Sequence, residues 1–204
     1  MPYYAGGNLH TFLAHKVKLT ENVPAEEADC LTIQMLRAVA FLHENNIAHG
    51  DIKPEHVLLT AQGAVKLGGF GEDPDAIREI FQLSHGSSRT SSFAVSSPKS
   101  ASAQKHAPNF CIRTRVSDSS KPYLPPERFP GHPASHRESY THQDVSDAKA
   151  GDIWACGIIY MFLRSGQLLW QSAQRTSPHK FFAEYLRCRM EEDGYNSIQV
   201  LGNQ

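Results

Sequence analysis

The stretch "HGDIKPEHVLL", residues 49–59, decides the reading of this chain, because it joins a long helical pattern to a strand pattern through a short loop. The loop holds a carboxylate, Asp51, and two residues further on an ammonium, Lys53, with His49 and His56 at its ends. Taken alone, Asp51 reads as a loop carboxylate bonded to backbone amides. What surrounds the loop decides whether it is more than that.

Upstream, Ala28, Leu31, Met35, Leu36, Val39 and Leu42 recur at helical spacing and predict one apolar stripe on a helix that starts near Pro24. Proline suits a first helical turn, and Glu26, Glu27 and Asp29 favour the positive end of the helix dipole. "ENN" (44–46) ends the helix. Before it, residues 1–16 read as an extended piece, a Gly-Gly turn and a short helix from about Asn8. Downstream, "VLLT" (57–60) and "AVKL" (64–67) predict a small hairpin, with Gly63 supplying the turn.

Residues 84–120 are rich in serine and poor in large apolar side chains, a composition that predicts disorder because little surface can be buried against chain entropy. Order is expected to resume near "PYLPPERF" (122–129). A polar stretch (131–150) then leads to "GDIWACGIIYMFLRSG" (151–166), which reads as a helix buried nearly all round. "HKFFAEYLRCRMEEDG" (179–194) reads as an amphipathic helix ended by Gly194. No internal repeat is visible.

With 204 residues, 40% hydrophobic and 20% charged, the chain has the composition of one globular domain. A formal net charge of −1 argues against a nucleic-acid or membrane-surface partner recruited by bulk charge. Cys30, Cys111, Cys156 and Cys188 lie far apart, which favours buried or free thiols over a metal or disulfide framework. His132, His136 and His142 lack supporting ligands and read as solvated surface. No apolar run reaches membrane-spanning length and no signal peptide is evident, so cytoplasm or nucleus is the expected location.

The order of these blocks resembles the large lobe of a eukaryotic protein kinase. "MPYYAGGNL" is similar to the hinge, "HGDIKPEHVLL" to the catalytic loop and "VKLGGFG" to the strand and metal-binding turn. "PYLPPERF" is similar to the end of the activation segment, and "GDIWACGIIY" to the central buried helix. Within that family, "LTENVPAEEADC", "QMLRAVAFLH" and the segment from "GDIWACGIIY" to "YNSIQVL" resemble the fungal halotolerance and nitrogen-permease-reactivator group of serine/threonine kinases. The resemblance implies an α+β, mainly α-helical fold: a C-terminal kinase lobe with small β-hairpins and no N-terminal lobe. It divides 1–204 into a hinge-like segment (1–9), a catalytic-loop and metal-turn region (47–71), the Ser-rich insert (84–120) and the central helix with its successor (151–201).

The resemblance also assigns roles. Asp51 would accept the proton of a substrate hydroxyl and Lys53 would steady the transferred phosphate, the lysine being the serine/threonine pattern. Pro2 and Tyr4 would meet adenine through the hinge, Asn8 the ribose, and Leu58 the adenine floor. His49 and Phe70 match a stacked apolar column, and Asp152 a carboxylate that ties down the catalytic-loop backbone. Ser120 matches a hydroxyl of the substrate pocket. Glu127 matches a glutamate that normally pairs with an arginine, expected here beyond residue 204.

The departures fall on the metal. The family's two ligands are an Asn at position 56 and an Asp at position 69, where this chain has His56 and Gly69. Magnesium prefers hard oxygen donors, imidazole nitrogen is a poor substitute, and glycine offers no side chain. A rebuilt turn would be needed for Glu72 or Asp73 to stand in. Position 50, normally an arginine that pairs with activation-loop phosphate, is Gly50. The expectation is therefore weak ATP binding at most and no seated magnesium. The expected role is that of a pseudokinase or truncated kinase that binds a protein partner, with no nucleic acid and no membrane span. The alternative is an active ATP-dependent serine/threonine kinase whose small lobe lies outside this chain.

Overall fold

The computed structural model describes residues 4–19, 21–70, 110–111, 117–129, 142–174 and 180–188. They are mainly helical, with a few short strands. Helix α1 spans Leu9–Lys18, α2 Ala25–Glu44, α3 His142–Ser165 and α4 Lys180–Cys188. The strands are β1 (Ile47–Ala48), β2 (Val57–Leu59), β3 (Val65–Leu67) and β4 (Phe110–Cys111); a 3-10 turn at Pro54–His56 leads into β2, and two more, Asp118–Tyr123 and Pro126–Arg128, follow β4.

Helix α1 starts where a capping box starts it. Asn8 Oδ1 accepts from the Thr11 amide at 2.8 Å, and the Asn8 amide donates to Thr11 Oγ1 at 3.3 Å. The Gly-Gly turn before it lies against β2: the Gly6 amide donates to the Leu59 carbonyl at 3.0 Å, and the Leu59 amide to the Gly7 carbonyl at 2.9 Å. A Cβ on Gly6 would sit 2.7 Å from two carbonyl oxygens, so glycine is required by close backbone approach.

In α2, Pro24 is the extended N-cap rather than the first helical residue, and Glu26 and Glu27 occupy the first turn. Ala28, Leu31, Met35, Val39 and Leu42 are buried as the stripe predicts. Leu36 is not: it is 37% exposed, beside Ile33 on the outer face. The stripe needs positions three and four apart, and 35, 39 and 42 already fill it, which turns position 36 a further 100° or so outward. The helix ends on Asn46, held at φ 58°, while Lys149 Nζ donates to the His43 carbonyl (2.8 Å) and to Asn46 Oδ1 (3.1 Å).

Strands β2 and β3 form the expected antiparallel hairpin, with Gly63 at φ +77°. Strand β1 pairs in parallel with β4, Ile47 opposite Phe110 and Ala48 opposite Cys111. This pairing, and the 3-10 turn from Asp118, correct the expectation of disorder across 84–120 at its C-terminal end. A two-residue strand held by a distant partner leaves no compositional trace. The rest of that range lies outside the described residues, as do Gly194, His132 and His136.

Helix α3 begins at His142, ahead of the expected 151, because Ala148, Asp152, Ala155, Ile159 and Leu163 continue one buried face. It is not buried all round: Ile153 is 51% exposed, and Gly157 is exposed. Its inner face packs on α2 and closes a core with Leu9, Leu13, Met35, Val39, Val57 and Ile159. Trp154, Trp170, Phe182 and Tyr185 form an aromatic cluster that fastens α4 to α3, with Trp170 and Phe182 edge-on at 5.1 Å. Cys30 is an exposed free thiol, while Cys156 and Cys188 are buried free thiols. Among the described residues no helix is long and apolar enough to cross a membrane.

Candidate functional site

The loop 49–56 leaves β1 and enters β2 through the 3-10 turn at Pro54–His56. Two amides at its start are exposed by the end of β1 and need an acceptor. Asp152 of α3 supplies it: Oδ2 accepts from the His49 amide and Oδ1 from the Gly50 amide, each at 2.8 Å. His43, in the last turn of α2, also bonds Asp152 Oδ2 through Nε2 at 2.8 Å. Asp152 is 1% exposed, so this carboxylate is compensated entirely by protein donors.

His49 ties the same loop to the end of the hairpin. Its Nε2–H donates to the Gly68 carbonyl at 2.8 Å, which leaves Nδ1 as an acceptor facing the Asp51 amide at 3.4 Å. Burial lowers the His49 pKa, against the opposing charge of Asp152, so the ring is held neutral. Phe70 lies against it with ring centroids 4.9 Å apart. His49 and Phe70 thus stack on one another, and Asp152 holds the two loop amides.

Asp51 is 6% exposed, with Oδ2 3.4 Å from Lys53 Nζ and 3.5 Å from His56 Nδ1. Lys53 Nζ donates to three hydroxyls, Ser117 Oγ (3.0 Å), Ser119 Oγ (3.1 Å) and Ser120 Oγ (3.0 Å), which match its three N–H groups. Ser120 was expected near the substrate pocket. Ser117 and Ser119 were not expected, and neither was His43: nothing local in the sequence marks contacts spanning 64 to 109 residues.

His56 and Gly69 stand face to face. The His56 Nδ1–H donates to the Asp51 carbonyl at 2.8 Å. Gly69 has φ +76°, and a Cβ built on it would fall inside 3.0 Å of three atoms of the His56 ring. The volume in which a side chain at position 69 would begin is already filled by imidazole. Gly50 also takes a left-handed conformation (φ +76°), one that suits glycine and strains a side-chain-bearing residue.

The outlying candidates divide. Asn8 uses its side-chain oxygen to cap α1, and its backbone bridges Leu58. The Tyr4 carbonyl accepts from the Gly7 amide at 3.0 Å, closing the glycine turn. Leu58 is half-buried, its Cδ1 directed at Gly68. Glu127 is half-buried in the Pro126–Arg128 turn, with no ion pair among the described residues. Pro2 lies outside the described residues, as do Glu72 and Asp73.

The site thus combines a buried carboxylate that clamps a loop, an Asp–Lys pair on that loop and a stacked His–Phe pair. The sequence pattern described as "Protein kinase domain" matches residues 1–198, and the chain belongs to that family. Within it the chain is similar to the serine/threonine-protein kinase HAL4/SAT4 of Saccharomyces cerevisiae, 33% identical over 201 residues, covering 98% of this chain and 26% of that protein. It is also similar to the serine/threonine-protein kinase hal4 of Schizosaccharomyces pombe, 32% identical over 98% of this chain and 25% of that protein. A probable HAL5-like serine/threonine-protein kinase of Eremothecium gossypii is 29% identical over 82% of this chain and 19% of that protein. The chain thus spans about a quarter or less of the length of these curated relatives.

Proposed function

We propose that this chain is the large lobe of a serine/threonine-kinase-type domain with little or no phosphotransfer, and that it acts by binding a protein partner. The observation that carries this reading is the His56 ring lying over the bare α-carbon of Gly69. Phosphoryl transfer depends on a metal bridging the phosphates far more than on covalent chemistry by the protein. Magnesium demands oxygen ligands in tight octahedral geometry, and here one ligand position carries an imidazole and the other carries nothing. The residues present do not fit that ion, and no step is assigned through it. Nucleotide binding, on this reading, is weak and independent of magnesium.

The test is transfer of labelled phosphate from ATP to the chain itself and to a generic basic protein, beside Asp51→Ala. Equal background in both supports the binding role. Magnesium-requiring turnover that disappears in Asp51→Ala sinks it.

One observation favours a second reading: Asp51, Lys53 and Ser120 remain clustered as a transfer site needs. On that reading the chain is part of an active serine/threonine kinase whose phosphate-binding lobe lies in other sequence. Asp51-dependent phosphotransfer by a longer protein carrying this chain selects it, and its absence there rejects it.

A further inference from the structure

Positions 56 and 69 are thirteen residues apart in sequence (69 − 56), yet the structure makes them one object. Three facts restrain His56, one acting on its ring, one on its backbone and one through its surroundings. Its Nδ1–H is held by the Asp51 carbonyl at 2.8 Å. Its own amide donates to the Lys53 carbonyl at 2.9 Å, and its carbonyl accepts from the Gly68 amide at 2.8 Å. Only 23% of its side chain is exposed, with the His49 ring 6.1 Å away. The ring therefore has little freedom to withdraw from position 69. Neighbouring Gly68 differs: a Cβ there would meet only the tip of Leu58 at 3.0 Å, which a rotamer shift relieves.

We infer that His56 is a plug seated on Gly69, so that the seat for a divalent ion is filled by this chain's own imidazole and cannot be reopened at either position alone. Gly69→Asp would drive its first side-chain carbon into a pinned ring. His56→Asn would leave the opposite wall without a carboxylate. The two departures from the family pattern then constitute one change, in which each residue makes the other tolerable. This deepens the proposed function and rests on its account of the metal seat, but the coupling itself is a packing property measurable without nucleotide.

The experiment is a double-mutant cycle on the full chain, comparing the unmodified protein with Gly69→Ala, His56→Ala and the pair, read by thermal unfolding. Alanine at a left-handed φ carries a cost of its own, equal in both backgrounds, so the cycle removes it. The expected result is a Tm loss from Gly69→Ala at least ~5 °C larger with His56 present than with His56→Ala. Equal losses in the two backgrounds overturn the plug. Should Gly69→Ala fail to fold, folding of the double variant supports the plug, and failure of both while His56→Ala folds overturns it. A parallel arm titrates the unmodified chain with ATP, with and without magnesium. A magnesium-dependent Tm rise there overturns the proposed function while leaving the coupling intact. Zero coupling with no such rise overturns the plug alone.

Discussion

At the scale of the residue, one carboxylate does most of the organising. Asp152, itself buried, accepts from two consecutive loop amides and from the half-buried His43 ring, all at 2.8 Å. Removing a buried charged acceptor leaves its donors unpaired, so Asp152→Ala is expected to cost about 3 kcal/mol, read from the shift of the urea midpoint. A variant within ~0.5 kcal/mol of the parent contradicts that role. His49 supplies a pH dependence. Its folded-state pKa lies below the unfolded value of 6.5, so the unfolded chain binds the extra proton. Its contribution is fully present above pH 6.5 and is lost as pH falls from there toward the folded pKa. Within that window the slope approaches about 1.4 kcal/mol per pH unit, and His49→Gln is expected to flatten it in denaturant titrations across pH 5–7. The types at positions 49, 51, 53 and 152 were legible by their place in the motif. That His56 fills the space over Gly69 was not, because a clash between side chain and absent Cβ exists only in three dimensions.

At the scale of the element, periodicity worked where one face is buried and failed where an element is short. Met35 and Val39 lie on the inner face of α2, whereas Leu36 in the same apolar run is 37% exposed. Ile159, fully buried on α3, is expected to lose about 2–4 kcal/mol on Ile159→Ala, while Leu36→Ala stays within ~0.5 kcal/mol, both from chemical denaturation. Comparable losses at the two positions contradict the assignment of faces. The early start of α3 was hidden by the polar composition of residues 142–150, although Ala148 and Asp152 already sit at i and i+4. The β1–β4 pair had no local signal at all, since two residues carry no period.

At the scale of the whole molecule, burial sorts the thiols. Burial raises the Cys156 pKa to about 12, with Asp152 adding to the effect, whereas Cys30 is exposed on α2. A thiol reacts as thiolate, so brief alkylation of the native chain followed by peptide mapping is expected to label Cys30 and spare Cys156 until denaturant is added. Equal labelling of both contradicts the packing of α3 against α2.

From the amino-acid order alone came the blocks and their succession: a striped helix, a loop with an Asp and a Lys, a hairpin, a buried helix. These follow from local patterns of burial and turn chemistry, which chain position records directly. The amino-acid order also named the two substituted positions, His56 and Gly69. Only the tertiary structure added His43 to the Asp152 clamp, gathered three serine hydroxyls around Lys53, and set an imidazole where a side chain at 69 would start. Such contacts are decided by packing between segments far apart in sequence, and excluded volume has no one-dimensional signature.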